Sequence, residues 1–141
     1  MPLRLIPEVH RATHRVGIFL DGLGITQGEG HILSHLATSG DATIAELHRA
    51  LAHRRSTLTS ILDRLADRGW ITRETDPNDR RSFIIGLSKN GKKAAAKIYR
   101  ELERIEGQAL GEVSKQDLLS VVAILQSLES AADKSARRKK D

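Results

Sequence analysis

The sequence contains no cysteine, which excludes disulfide bonds, cysteine nucleophiles, thiol redox sensing and zinc sites built from thiolates. Aromatic residues make up only 3% of the 141 residues, so the core must be built from aliphatic side chains, a composition that favours helices packed on helices. No apolar run approaches the roughly 20 residues of a membrane span, and the N-terminus lacks the apolar stretch of a signal peptide. We therefore expect a cytoplasmic protein without a membrane partner.

Motifs typical of enzymes are missing as well. The sequence has no glycine-rich phosphate loop, no G-x-S-x-G nucleophile turn and no H-E-x-x-H zinc-binding run. We therefore predict that the protein is not an enzyme and requires no cofactor. Positive charge is in excess: the formal net charge is +5 and the isoelectric point is about 9.9. That balance fits a polyanionic partner such as nucleic acid.

Apolar residues at helical spacing, interrupted by turn residues, predict four helices, a β-hairpin and two further helices, in that order. Thr26 with Glu29, and Thr43 with Glu46, have the spacing of capping boxes that open the second and third helices. Residues 38–41 are predicted to form a turn between those two helices. The expected fold is mostly α with one small hairpin.

We predict a single domain over residues 1–141 with three functional parts and a tail. Residues 26–91 contain a short helix, a tight turn, a longer helix and the hairpin, which is the order of a winged helix-turn-helix. The end segments 1–24 and 92–133 carry long apolar stripes and are predicted to be dimerisation helices. Residues 134–141 are predicted to be a charged, disordered tail.

The second helix of a helix-turn-helix enters the major groove of DNA with its N-terminal residues facing the base edges. In this chain that helix starts after His53, and no carboxylate occurs in it before Asp63. Arginine donates two hydrogen bonds to guanine, while serine and threonine bind bases or phosphates. The predicted DNA contacts on this helix are Arg54, Arg55, Ser56, Thr57, Thr59, Ser60 and Arg64.

The hairpin supplies a second predicted DNA contact. Its returning strand begins near Arg80 and Arg81, directly after Asp79. An exposed arginine near a hairpin tip fits the narrow minor groove, where the negative potential is strongest. We expect the Asp79 carboxylate to hold the Arg81 side chain by a charge-assisted hydrogen bond and so to fix the hairpin.

The hairpin and the residues after it resemble the signature of the MarR family, which reads Asp-x-Arg, five residues, Leu-Thr/Ser, two residues, Gly. The fixed positions of that signature are occupied by Asp79, Arg81, Leu87, Ser88 and Gly91. The preceding segment, residues 65–73, is similar to the family's Leu-x-x-x-Gly-x-Ile/Val-x-Arg stretch. The resemblance covers about residues 26–91.

The resemblance implies a winged-helix dimer with its recognition helices in the major groove and its wings in the minor groove. It also implies a small aromatic or phenolic effector, bound between the dimer helices and the DNA-binding lobe. Gly28 and Gly30 depart from the family, whose members generally carry larger side chains there, so the usual shape of that pocket is not carried over to this chain. We expect a transcriptional repressor that binds an inverted repeat in double-stranded DNA and is released by such a ligand.

The end segments carry more apolar surface than a core of this size needs. Spacings of three and four residues are typical of helices that pack against a second chain. We therefore predict a homodimer. The predicted dimer contacts are Ile6, Val9, Val16, Phe19, Leu118, Val121 and Leu125.

Two alternatives stay open. Histidines four residues apart share one helical face, and neutral imidazoles at that spacing bind zinc, so a zinc-responsive regulator is one alternative. The candidate metal ligands are His10, His14, His31 and His35. The other alternative is a non-specific architectural DNA-binding protein, which would bind all duplexes with similar affinity.

Overall fold

The computed structural model describes residues 2–52 and 54–140; His53, at the predicted start of the recognition helix, lies outside them. The described helices are α1 (Ile6–Gly22), α2 (Gln27–Ser39), α3 (Ile44–Leu51), α4 (Arg55–Asp67), α5 (Lys89–Leu110) and α6 (Lys115–Arg138). The described strands are β1 (Ala42–Thr43), β2 (Ile71–Asp76) and β3 (Asp79–Leu87). This order confirms the predicted fold class, a mostly α winged helix-turn-helix. The chain divides into two compact units between Leu102 and Glu103.

Local capping signals begin α2 and α3 where the sequence predicts them. The Thr26 hydroxyl accepts a hydrogen bond from the Glu29 amide at 3.2 Å, and the Glu29 carboxylate accepts one from the Thr26 amide at 3.1 Å. The predicted capping box at α2 is therefore confirmed. At α3 the Thr43 hydroxyl accepts from the Glu46 amide at 3.1 Å, which is the hydroxyl half of the predicted box; the reciprocal bond to the Glu46 carboxylate is not among the bonds described.

The sheet has three strands, whereas the sequence predicts only a hairpin. Ala42 and Thr43 pair antiparallel with Ile85 and Ile84, so the strand order is β1-β3-β2. A strand of two residues is too short to show alternating hydrophobicity, which is why the sequence pattern missed it. The additional pairing holds the start of α3 against the strand that carries the wing arginines.

An aliphatic core forms within the first unit. α4 contributes four buried side chains, and their spacing leaves the opposite face of the helix exposed. The largest fully buried side chains among the described residues are Leu20, Ile32, Leu33, Leu47, Leu58, Leu62, Leu65 and Ile85. The core therefore fixes which face of α4 points outward.

A close backbone contact joins the base of the hairpin to the start of α5. The Ser88 hydroxyl donates to the Gly69 carbonyl oxygen at 2.5 Å and accepts a hydrogen bond from the Gly91 amide at 3.0 Å. A Cβ atom on Gly91 would overlap the carbonyl oxygen of Trp70. Any side chain at position 91 would therefore displace the backbone at this junction.

The second unit ends differently from the prediction. α6 continues to Arg138, so residues 134–138 are helical and the expectation of a disordered tail from residue 134 is wrong for them. Asp133 and Arg137 form an ion pair one helical turn apart, with Nε and Oδ2 separated by 3.2 Å. Basic residues in the last turn also interact favourably with the helix dipole.

Candidate nucleic-acid interface

The predicted recognition helix, α4, presents its N-terminus without a side-chain cap from the described residues. Arg54 precedes the first turn in an extended conformation, with φ −64° and ψ 150°. The first amides of a helix carry partial positive charge, and here they stay available to an anion such as phosphate. All seven predicted contact residues on this helix are exposed: Arg54, Arg55, Ser56, Thr57, Thr59, Ser60 and Arg64.

Two of these side chains are held by the helix itself. The Thr59 hydroxyl donates to the carbonyl oxygen of Arg55 at 3.0 Å, which leaves its oxygen free to accept. Arg64 donates from Nη1 to the Ser60 hydroxyl at 2.9 Å. Side chains on a helix lean toward its N-terminus, so the Arg64 guanidinium extends toward the half of α4 that carries the other contacts.

An ion pair that the sequence analysis missed connects α4 to the wing. Arg73, on β2, donates from Nη2 to the Asp63 carboxylate at 2.7 Å. Asp63 is the first acidic residue of the recognition helix, and this arginine offsets its negative charge. The two residues are ten positions apart and a turn lies between them, so no local spacing pattern identifies the pair.

The wing turn is built by two aspartates that accept backbone hydrogen bonds. Asp76 accepts from the Asn78 amide at 2.9 Å, and Asp79 accepts from the Arg81 amide at 3.0 Å. The bond that the structure shows for Asp79 therefore goes to the backbone of Arg81, whereas the sequence analysis predicted a bond to its guanidinium. Asp79 still shapes the turn, and the side chains of Arg80 and Arg81 are exposed.

A cleft of about 450 Å³ lies between α3, α4 and β3. Arg55 of the recognition helix and Arg81 of the wing both line it, together with apolar side chains that include Leu58 and Phe83. The fold thus brings the two predicted groups of DNA contacts to the same part of the surface, although they are separated in sequence.

Arg64 also lies beside a buried acidic residue that the sequence analysis identified only as a helix cap. Its Nε is 3.8 Å from Oε1 of Glu29, on α2. Arg68, which directly follows the last residue of α4, approaches the other oxygen of the same carboxylate. The spacing of Arg64 and Arg68 was a visible signal for this pair, but their partner on α2 was not.

The candidate metal ligands do not assemble into a site among the residues that the structure describes. The rings of His10 and His14 stack, with centroids 6.1 Å apart and planes inclined by 11°. Within residues 2–52 and 54–140, however, no group of three or more histidine or acidic side chains is placed to hold a metal ion. None of the helices in these ranges is long and apolar enough to cross a membrane.

A helix-turn-helix followed by a wing, with helices before and after it, defines a winged-helix protein. The MarR family model matches residues 25–83. The multiple antibiotic resistance protein MarR of Salmonella typhimurium is 33% identical over 127 residues, which cover 89% of this chain and 85% of that protein. The chain therefore belongs to the MarR family, and it is a DNA-binding transcriptional regulator rather than an enzyme.

Solved structures support the fold over nearly the whole chain. NMB1585, a MarR family regulator from Neisseria meningitidis, has a TM-score of 0.81 at 17% identity and covers 94% of each chain. A mutant of MarR from Escherichia coli, complexed with operator DNA, has a TM-score of 0.72 at 24% identity and covers 89% of this chain and 91% of that one.

Proposed function

We propose that the protein binds an inverted-repeat operator as a homodimer, with α4 in the major groove and the wing in the minor groove. The observation that carries the proposal is the exposed face of α4, which is rich in arginine and hydroxyl groups and meets Arg81 of the wing at one cleft. The similarity in fold to the Escherichia coli MarR mutant complexed with operator DNA supports the same mode of binding.

In this proposal the DNA contacts fall into three groups: base edges, phosphates and the minor groove. Arg54, Arg55, Ser56, Thr57 and Thr59 lie in the first turns of α4, where side chains reach base edges. Ser60 and Arg64 lie farther along, and Arg64 contacts a phosphate. In the wing, Arg80 and Arg81 contribute positive charge to the minor groove while Asp79 holds the turn.

Dimerisation is proposed because both end segments leave apolar side chains without cover. In the second unit no described residue of α6 is buried, and Leu119, Val121 and Ile124 are 60%, 50% and 52% exposed. In the first unit Ile6 of α1 is 50% exposed. Exposed apolar surface of this extent marks an interface. Of the proposed dimer contacts, Ile6, Val121 and Leu125 are exposed, whereas Val9, Val16, Phe19 and Leu118 are half-buried. Val16 and Phe19 also pack against the core of the first unit, so they are the weaker candidates.

We further propose that the protein is a repressor that a small aromatic ligand releases. The cleft at α3, α4 and β3 has a volume in the range of small-molecule sites, and it combines apolar walls with Arg55 and Arg81. A second observation concerns Gly30, where a Cβ atom would lie 3.0 Å from Leu20 and 3.2 Å from Ile25. The close packing of α1 on α2 at Gly30 favours the cleft over the pocket that the family resemblance implies.

The test of DNA recognition is selection of bound duplexes from a random pool, followed by affinity measurements on the selected duplex and on a scrambled duplex. We expect the selected duplex to bind at least about a thousandfold more tightly than the scrambled one. Replacing Arg55 and Arg81 together by alanine should strongly weaken binding to the selected duplex, because a base contact and a minor-groove charge are both lost. The matched control is Arg100→Ala, an exposed arginine on α5 outside the proposed interface. Equal affinity for both duplexes would instead indicate a non-specific architectural protein.

Repression and release need separate measurements. A reporter gene placed behind the selected operator should be less active when the protein is present. Adding simple aromatic carboxylates, such as benzoate, should restore reporter activity and lower operator affinity in solution. A reporter that becomes more active with the protein would identify an activator. No response to aromatic ligands would remove the effector from the proposal.

A further inference from the structure

Glu29 is the one charged residue that is buried within residues 2–52 and 54–140, with only 2% of its surface exposed. Its Oε1 accepts the capping hydrogen bond from the Thr26 amide, but its Oε2 has no hydrogen-bond partner among the described residues. A capping box needs only an acceptor, so glutamine would serve equally well at this position. Burying a full negative charge is costly, and the cap alone does not explain it.

Arg64 of α4 and Arg68, which directly follows α4, face this carboxylate. Nε of Arg64 lies 3.8 Å from Oε1, and Nε of Arg68 lies 3.6 Å from Oε2. These separations are too long for hydrogen bonds, so the attraction is electrostatic. Arg64 and Arg68 are one helical turn apart, and they face the same carboxylate from one side of the recognition helix.

The two arginines are held to different extents. Arg68 is anchored within the fold, because it donates from Nη2 to the Gly24 carbonyl oxygen at 2.6 Å and its guanidinium stacks 4.7 Å from the Trp70 ring centroid. Arg64 donates only to Ser60 among the bonds described, and its side chain is 47% exposed on the proposed DNA-binding face. Arg68 is therefore a structural partner of Glu29, whereas Arg64 remains accessible to an external anion.

We infer that Glu29 is a positioning residue, which holds the Arg64 guanidinium in the orientation that meets a DNA phosphate. The inference rests on the proposed function, since it takes Arg64 as a phosphate contact. A free arginine loses several rotamers when it binds. The buried carboxylate and the Ser60 hydroxyl restrain Arg64 before DNA arrives, so less entropy is lost on binding.

The first test is Glu29→Gln, which keeps the volume and the capping acceptor and removes only the charge. We expect the affinity for the selected operator to fall by about two- to tenfold. The matched control is Glu46→Gln, because Glu46 occupies the equivalent capping position of α3 but is exposed. That control measures the general effect of removing one negative charge near DNA. A rise in affinity for Glu29→Gln above the control would overturn the inference, since Glu29 would then compete with phosphate.

A double-mutant cycle separates positioning from a general structural role. In an Arg64→Met background, Glu29→Gln should cause no further loss of operator affinity. An equal loss in both backgrounds would show that the carboxylate acts through the fold, and it would overturn the inference. If Arg64→Met alone leaves affinity and salt dependence unchanged, the inference also fails. The proposed function would still be supported if the Arg55 and Arg81 variants lose operator affinity.

A measurement on the unmodified protein keeps the inference testable if Glu29→Gln does not fold. Nitrogen-15 relaxation of the arginine Nε groups reports how far each side chain is restrained. Without DNA, Arg64 should be more restrained than Arg80 of the wing and closer to Arg68. An Arg64 signal as mobile as that of Arg80 would contradict the inference.

Discussion

Helices α4 and α6 use their apolar residues in opposite ways. In α4 the apolar side chains at 58, 61, 62 and 65 are buried in the unit that contains them, and the other face is polar. In α6, which is nearly twice as long, no described residue is buried and most of the apolar side chains lie exposed. The contrast supports the proposal that α4 offers its polar face to DNA, and that α6 packs its apolar face against a second chain.

The largest effect is expected from introducing charge on the exposed apolar face of α6. Replacing Val121 and Leu125 by aspartate should convert the dimer to a monomer, because two carboxylates cannot be buried unpaired at an interface. Operator affinity should fall about a hundredfold or more, since the two half-sites are then bound independently. Sedimentation equilibrium and anisotropy titration measure the two effects.

The control for that variant lies on the same helix. Gln126 and Ser127 are exposed polar residues of α6, and replacing both by aspartate adds the same charge. This variant should remain dimeric and keep most of its operator affinity. If both variants are dimers, the exposed apolar face does not form the interface.

The second prediction concerns the junction between the base of the hairpin and the start of α5. Gly91→Ala should lower the free energy of unfolding by about 3 kcal/mol, because the new methyl group meets the Trp70 backbone carbonyl. Urea unfolding followed by circular dichroism measures this loss.

Gly107 provides the matched control for this junction, since it also lies in α5. A Cβ atom on Gly107 would meet no atom within 4 Å among the described residues. Gly107→Ala should therefore be neutral or stabilise the helix by up to about 1 kcal/mol. Equal effects at the two positions would contradict the role of Gly91 at the junction.

The third prediction distinguishes contacts that add affinity for any duplex from contacts that select particular bases. Arg81→Ala should weaken binding to all duplexes by roughly tenfold and lower the salt slope by about one, because one phosphate-directed charge is lost. Thr57→Ala should instead change which bases are preferred at one position of each half-site, with little effect on the salt slope. Salt titrations and competition between single-base operator variants distinguish the two. Identical behaviour of both variants would show that the assignment of contacts is wrong.

The smallest expected effect is at the ion pair between α4 and β2. Asp63→Asn should lower the free energy of unfolding by less than about 1 kcal/mol, because the pair is largely exposed and screened by solvent. Thermal unfolding at low and high salt measures this difference, which should shrink as salt rises. A loss of several kcal/mol, independent of salt, would show that the wing depends on this pair far more than its exposure indicates.

Sequence patterns predicted the parts of the fold that depend on neighbouring residues. Thr26 and Glu29 identify the start of α2 because both halves of a capping box lie within one turn. The buried stripe of α4 follows from its helical period, and the predicted hairpin corresponds to β2 and β3. These features are local, so a single sequence contains enough information to place them.

The features that were missed depend on contacts between distant segments. β1 exists because Ala42 and Thr43 meet β3, more than 40 residues later in the chain. The spacing of Thr26 and Glu29 identified the helix cap. It gave no sign of the ion pairs of Glu29, because Arg64 and Arg68 are distant in the sequence. The helical end of α6 was missed because a run of charged residues is typical of a disordered tail, although each basic residue there also favours a helix C-terminus.

The central claim is that a homodimer holds the polar faces of its two α4 helices at a fixed separation. The exposed apolar side chains of α1 and α6 form the dimer contacts. The most direct measurement is the affinity for the selected operator after insertion of half a helical turn, roughly five base pairs, between its half-sites. The account predicts that affinity falls about a hundredfold or more, because the second lobe then faces the wrong side of the DNA and only one half-site is bound. Unchanged affinity would contradict it, since each lobe would then bind without regard to the other.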